Sequence, residues 1–248
     1  MIKELFSMEN VAKTQTLVLF KPDSLKNSLA GFLISALSEI NTGLVLAGIK
    51  SIQVSKMMAE EHYVEHKSKG FFPSVVEYLM GLSHFADEPK KQWVIALVYE
   101  GVDAIKKVRD VAGPTNPINA RAQKPGCIRS LGAIIPVTDS TGKVIDNRID
   151  NLMHASSSES DAEREIKLWF KPTEIPATLR AYPTTISTMS FYYNKGHLLT
   201  SYTDGSICLL APGDLAWKSD LDALTALVSG KPSAISLDTI AAKYIANL

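Results

Sequence analysis

TLVLFKPDSLKNSLAG, residues 16–31, sets the reading of the whole chain. Thr16 to Phe20 is an apolar run that reads as a buried strand, and it stops at Lys21-Pro22-Asp23 because proline cannot continue a central ladder. A helix follows. Leu25, Leu29, Phe32, Leu33, Ala36, Leu37 and Ile40 recur at helical spacing, Asp23 or Ser24 can cap the start by accepting from free amides, and Gly43 ends the stretch.

Outward from there the alternation continues. Leu44 to Val54 reads as a second strand, Ser55 caps a helix through His66, and Phe72-Pro73-Ser74 opens another to Met80. A polar loop over 81–92 leads to a strand from Trp93 to Tyr99 and a helix with Ile105, Val108 and Val111 on its apolar stripe, ended at Gly113-Pro114. A long irregular loop is expected to Arg129, then a strand over 131–137, a turn at Asp139 to Gly142 and weak extended pieces over 144–153. Ser160 and Glu163 fit a capping box for a helix that buries Ile166, Leu168, Trp169 and Phe170. This β-α alternation allows either a parallel sheet or a split β-α-β sandwich of the ferredoxin kind, and pattern alone does not choose. After Pro172 a hairpin over 190–210 and two helical patterns, 218–229 and 235–247, read as a separate appendage.

Composition narrows the function classes. With 46% hydrophobic and 21% charged residues in 248, the chain has ordinary globular usage and length for one large domain, or a medium domain plus an appendage. Lys+Arg and Asp+Glu both total 26, so no net field holds nucleic acid or an anionic membrane, and any phosphate site must be a local cluster. No apolar run suits a signal peptide or a membrane span, which points to a cytoplasmic protein. Cys127 and Cys208 form no CxxC and read as reduced thiols.

Cations collect at the ends of expected elements: Lys21, Arg109, Arg121, Lys124 and Arg129. They read as a phosphate cradle or as solvated surface charges. His154 precedes a capped helix whose positive end favours phosphate, and a neutral imidazole is a nucleophile once a group such as Glu165 fixes its tautomer; a lone histidine is otherwise unremarked. His62 and His66 are four apart and could share a metal, but there is no HExxH and no third ligand. Phe71 and Phe72 suit base stacking or the core. The residues alone reach a phosphate enzyme and no further.

Read together, the segments resemble the nucleoside diphosphate kinase family over most of residues 14–172. TLVLFKPDSLKNSLAG is similar to its opening strand and KPD motif, HYVEHKSKGFFPSVVEYL (62–79) to its nucleotide-clamping helix pair, GPTNPINARAQKPGCIR (113–129) to its phosphate-side loop, and NLMHASSSESDAEREIKLWFKP (151–172) to its active-site motif. The resemblance implies an α+β fold, a ferredoxin-like α/β sandwich with an antiparallel sheet, carrying here a small C-terminal α/β appendage. It implies a ping-pong reaction in which a nucleoside triphosphate phosphorylates His154 and a nucleoside diphosphate collects the group. Glu165 would orient the ring, with Lys21 and Tyr63 also in the catalytic set. Lys21, Tyr63, Arg109, Thr115, Arg129 and Asn151 would contact phosphate and ribose, and Phe71 and Val75 would stack the base. Mg2+ would be held mainly by the nucleotide phosphates rather than by protein ligands, and family members form homo-oligomers.

The chain departs from the family pattern at Ala155 for glycine, Ser157 for aspartate and Gly70 for proline, and in insertions near 82–91 and 130–150. The expected division is therefore 1–172 as the catalytic domain and 173–248 as an extension of unassigned role. The alternative is a catalytically inactive nucleotide-binding or scaffold relative whose insertions and tail bind a partner.

Overall fold

The computed structural model describes residues 12–138 and 140–245; Asp139 of the expected turn lies outside them. The opening run is strand β1 (Lys13–Phe20), whose last six residues are buried. Where the spacing predicts one helix, the chain makes three short ones, α1 (Pro22–Lys26), α2 (Ala30–Ala36) and α3 (Glu39–Thr42). The first break falls at Ser28, held at φ +57°, a left-handed conformation that ends a helix, and the second at Ser38, whose backbone is extended (φ −61°, ψ 155°). Leu33 and Leu37 are buried as expected, but the breaks turn Phe32 and Ile40 out to solvent.

Strand β2 (Val45–Ile52) leads to α4 (Lys56–His62), capped by Ser55 Oγ accepting from the Met58 amide. The helix expected through His66 stops at His62, and a 3-10 turn takes Val64–His66. Helix α5 (Phe72–Leu79), strand β3 (Val94–Val102) and helix α6 (Ala104–Ala112) follow. The loop expected as irregular contains α7 (Pro117–Gln123), started by Asn116 accepting from the Ile118 and Asn119 amides with proline at the first position. The strand expected over 131–137 is β4 (Ala133–Thr138), and the weak extended pieces are β5 (Val144–Asp150), which pairs with it, and β6 (Met153–Ala155). Helix α8 (Glu159–Trp169) is capped by Ser158, not Ser160: Ser158 Oγ accepts from the Asp161 amide.

The main sheet runs β2-β3-β1-β6 with every neighbouring pair antiparallel, which excludes the parallel alternative. Alternation along β1 feeds two cores. Leu17 and Leu19 face a core with Met58, Ala59, Val76, Ile166 and Trp169, from α4, α5 and α8. Val18 and Phe20 face the other, with Leu33, Leu37, Val108 and Ala112 from α2, its C-cap and α6.

Beyond α8 come β7 (Thr184–Ile186), β8 (Phe191–Asn194), β9 (His197–Leu199), β10 (Ile207–Leu210), β11 (Leu215–Trp217), α9 (Lys218–Val228) and α10 (Leu237–Ile245). Strands β10-β8-β9 form one small sheet and β11-β7 another. This region has a core of its own around Phe191, Leu209, Leu224 and Ile240, and inside it Lys243 pairs with Asp220, both fully enclosed. Trp217 and Ala242, however, belong to the core under the main sheet, and Trp217 Nε1 donates to the Phe170 carbonyl at 2.7 Å.

The two segments expected as insertions touch one another. His84 Nε2 and Asp150 Oδ2 are 2.9 Å apart in a buried contact, and Arg148 donates both to Asp150 and to the Ser83 carbonyl.

Candidate active site

The register of β1 against β6 places Leu19 opposite His154, so the histidine enters from the middle of the sheet edge rather than from a loose loop. Two devices fix the approach. The Lys21 amide donates to the Leu152 carbonyl at 2.9 Å, and Asp23 Oδ2 accepts from the Leu152 amide at 2.8 Å. Between these anchors Leu152 is held at φ +71°, a conformation unfavourable for a side chain with a Cβ and sustained only by its surroundings. The KPD motif thus shapes the backbone that precedes the histidine as well as supplying a cation.

His154 Nε2 lies 2.8 Å from Glu165 Oε2. The carboxylate is buried, and it also accepts from Ser156 Oγ at 2.6 Å. Burial alone would push its pKa up, but the His154 ring, by charge and hydrogen bond, outweighs this with help from His62 and Ser156 and brings it down to about 2. Glu165 is therefore an anion throughout the physiological range, and its hydrogen bond requires the His154 proton on Nε2, leaving a lone pair on Nδ1.

Around the imidazole is a cavity of about 320 Å³, lined by Lys21, Tyr63, Arg109, Thr115, Arg129, Asn151, His154 and Glu165 among others. Eight of the ten residues assigned by the family resemblance thus line one space. Phe71 and Val75 do not; Phe71 is exposed at the rim, its ring 5.4 Å edge-on to His66, which does line the cavity. Arg121, on the Ser130 and Gly132 carbonyls, and Lys124, beside Asp110, also lie outside it. Lys21 Nζ donates to Asn151 Oδ1 at 2.6 Å, and Asn151 Nδ2 donates to the Thr115 carbonyl at 3.0 Å. Burial is the main cause that brings the Lys21 pKa down to about 8; Arg129 adds to it, while Asp23 and Asp150 oppose it. Arg129 donates to the carbonyls of Gly113 and Met153, and burial, then Arg109, lowers its pKa to about 10. Gly113 must be glycine: at φ +79° an added Cβ would sit 2.2 Å from Cys127 Sγ. Burial raises the Tyr63 pKa, so its hydroxyl stays protonated.

Several contributors were not given their role in the site from the sequence. Ser156 lies two residues beyond His154 on the edge of β6, and the period of two that puts both on one side was the available signal. Ser157, where the family motif has aspartate, donates to the Asp161 carboxylate, and both line the cavity, so an acid returns to the site from the first turn of α8. His62 is the third. It does not pair with His66 but packs edge-to-face on His154, ring centroids 4.5 Å apart. Trp169 Nε1 reaches His62 Nδ1 at 3.2 Å, and an indole can only donate, so Nδ1 accepts and the His62 proton sits on Nε2, buried with no hydrogen-bond partner. Burial, then the nearby His154, drives its pKa well below the usual histidine value and keeps it neutral.

A profile described as nucleoside diphosphate kinase matches residues 14–175. A nucleoside diphosphate kinase of Pyrococcus abyssi is 40% identical over 184 residues, 74% of this chain and 96% of that protein. This chain belongs to the nucleoside diphosphate kinase family. A second member, from Thermococcus kodakarensis, is 34% identical over 195 residues, 79% of this chain and 95% of its own length. Among solved members, the Aquifex aeolicus nucleoside diphosphate kinase superposes with TM-score 0.53 at 30% identity, covering 66% of this chain and all of that one. The Halobacterium salinarum nucleoside diphosphate kinase, solved in complex with CDP, matches at TM-score 0.50 and 29% identity over 66% of this chain and 92% of its own. The strands and helices after residue 175 are additional to the nucleoside diphosphate kinase domain.

Proposed function

We propose that this chain transfers the terminal phosphate of a nucleoside triphosphate, typically ATP, to a nucleoside diphosphate by a ping-pong route through phosphohistidine at His154. The observation that carries the reading is the His154–Glu165 contact at 2.8 Å inside a cavity lined by Lys21, Arg109 and Arg129. In the first half-reaction the Nδ1 lone pair of His154 attacks the terminal phosphorus; the P–N bond forms, the P–O bond to the next phosphate breaks, and its electrons leave with the diphosphate. Glu165 accepts the Nε2 hydrogen bond throughout and stabilises the charge the ring gains. In the second half a terminal oxygen of the acceptor diphosphate attacks phosphorus, the P–N bond breaks, and the ring returns to neutral. Lys21, Arg109 and Arg129 face the negative charge spread over the transferring oxygens, Tyr63, Thr115 and Asn151 hold phosphate and ribose, and Phe71 with Val75 packs on the base. Stacking reads no hydrogen-bonding edge, so broad base tolerance follows. The CDP complex of the Halobacterium salinarum relative agrees with a diphosphate as ligand.

Magnesium supplies charge neutralisation between the nucleotide phosphates when it arrives with them. The metal-capable cluster among the described residues, His62, His154 and Glu165, is a poor fit for such an ion, because two of its three donors are nitrogens and the His62 one carries a proton. The residues that fit are the phosphate oxygens' partners, not a protein cage. An inactive scaffold finds no support, since binding alone has no use for an oriented nucleophile.

The test of the route is labelling. With ATP carrying a labelled terminal phosphate and no acceptor, the protein should take up acid-labile, alkali-stable label, and a second nucleoside diphosphate should then discharge it. Transfer that requires both nucleotides together would overturn the phosphoenzyme. The pH profile follows from Lys21. Its ammonium is the binding form, and with the pKa lowered from 10.5 to about 8 that form is lost earlier than usual as pH rises. The kcat/KM should therefore fall about tenfold per unit above pH 8. The limb in kcat should lie higher, because bound phosphates restore the charged form; a kcat/KM flat to pH 10 would exclude the assignment.

We also assign the chain to a homo-oligomer in the cytoplasm. Strand β2 is a sheet edge with Val45, Leu46 and Ile49 exposed, and Phe32 and Ile40 are exposed nearby in sequence. No helix among the described residues is long and apolar enough to cross a membrane. A sedimentation mass equal to one 27.1 kDa subunit would refute the assembly.

A further inference from the structure

Helix α4 is seven residues long, too short to be stable alone, and its position depends on what packs against it. Met58 and Ala59 belong to the core under the main sheet, and Met57 packs against both that core and the core of the C-terminal region. The element that covers it there is α10, which also packs on α8. These two helices deliver the chemistry: α4 ends at His62 and hands on to Tyr63, and α8 carries Glu165.

One polar contact ties α10 to this pair. Thr239 Oγ1 donates to Glu61 Oε2 at 2.6 Å, and its orientation is set by Ser236 Oγ, 2.8 Å away and itself accepting from the Thr239 amide at 3.0 Å. A carboxylate can only accept, so the direction of the chain of hydrogen bonds is fixed. From Glu61 the contacts continue inward. Its carbonyl accepts from Arg164 NH1 at 3.3 Å, Arg164 NH2 lies 3.5 Å from Glu165 Oε1, and Glu165 meets His154.

We propose that Thr239 is a positioning residue for the nucleotide clamp: by holding Glu61, the last helix of the chain sets where His62 and Tyr63 stand in the cavity. The region after residue 175 is then the back wall of the site. The contact acts on the end of α4, not on the reacting atoms, so its loss loosens nucleotide binding while the phosphorylated ring still forms. This rests on the phosphotransfer reading for its kinetic readout but not for its geometry.

The experiment uses the full chain. Thr239→Val removes the hydroxyl at nearly constant volume, Thr239→Ser restores it, and Glu61→Ala removes the partner from a partly exposed position. Thr239→Val and Glu61→Ala should each raise KM for the nucleoside diphosphate about three- to tenfold with kcat within about twofold of the parent, Thr239→Ser should return KM to the parent value, and the double variant should be no worse than the worse single. Unchanged KM in either single, effects that multiply in the double, or a fall in kcat that tracks the melting temperature would overturn the proposal. Should Thr239→Val fail to fold, Glu61→Ala with its own KM and kcat decides. If the parent makes no triphosphate at all, the phosphotransfer reading is what has failed, and the same pattern is read in the calorimetric dissociation constant for the nucleoside diphosphate.

Discussion

His154→Ala should lower kcat by at least about four orders of magnitude while leaving the dissociation constant for a nucleoside diphosphate within about threefold of the parent. The asymmetry comes from the division of labour in the cavity. The ring would supply the lone pair that phosphorus bonds to; Ser156 also donates to Glu165, but it is fully buried and does not line the cavity. The cations proposed to hold phosphate, Lys21, Arg109 and Arg129, line the same cavity but do not depend on the ring; the buried Lys21, for example, is anchored on Asn151 and lies 4.8 Å over the Tyr78 ring. The fold should survive. Glu165 keeps Ser156 Oγ as a donor and Arg164 as a neighbour, although its pKa should climb, because the largest influence lowering it is the imidazole. Coupled-assay rates and calorimetry on one preparation check both halves. Retention of more than about 1% of the parent rate would remove His154 from the mechanism, and loss of binding would mean the ring also shapes the nucleotide site.

Trp217→Ala should be the most damaging single change to stability, about 3–5 kcal/mol, and should lower the melting temperature by on the order of 10 °C. Trp217 is fully buried, lies edge-on to Tyr182 with ring centroids 6.2 Å apart, and satisfies the Phe170 carbonyl. Truncation opens a cavity in the core shared with Leu17, Ile166 and Trp169 and strips a buried acceptor of its donor. Trp217→Phe keeps most of the volume and should cost about 1 kcal/mol, which separates the hydrogen bond from the packing. The decisive feature is the shape of the urea transition. A tryptophan contributed by the C-terminal region to the core of the kinase domain predicts that both unfold in one step. A low-denaturant transition confined to residues beyond 175, with the kinase domain unaffected, would show an independent module instead.

Much of this was legible before any coordinates, for reasons that differ by element. β1 announces itself because both of its faces are buried, which leaves an unbroken apolar run, and α8 because it buries one face at helical spacing. The first helical stretch misled because Phe32 and Ile40 sit at helical spacing yet are exposed; a left-handed residue at Ser28 and an extended one at Ser38 reorient the pieces, and no period reveals that. α7 was missed although Asn116-Pro117 is a helix start, because only seven residues follow and few of them are buried. The antiparallel sheet could not be chosen by alternation, since connection lengths permit either topology; it followed from the family motifs. At the site, the cations and the His154–Glu165 pair were identified in sequence, whereas the parts played by Ser156, Asp161 and His62 were not. Their contributions are relational: a serine facing a carboxylate, an aspartate one turn along from a serine, a histidine whose proton is assigned by an indole.

The contact of His84 with Asp150, reinforced by Arg148 on Ser83, has a consequence for how this chain varies. His84 and Asp150, in the two segments expected as insertions, are 66 residues apart in sequence, yet each segment supplies the partner the other needs below the surface. Deleting the hairpin of β4 and β5 alone would strand a buried imidazole, and shortening the 82–91 loop alone would leave Asp150 with only Arg148. A chimera that moves one without the other starts with a defect next to Asn151.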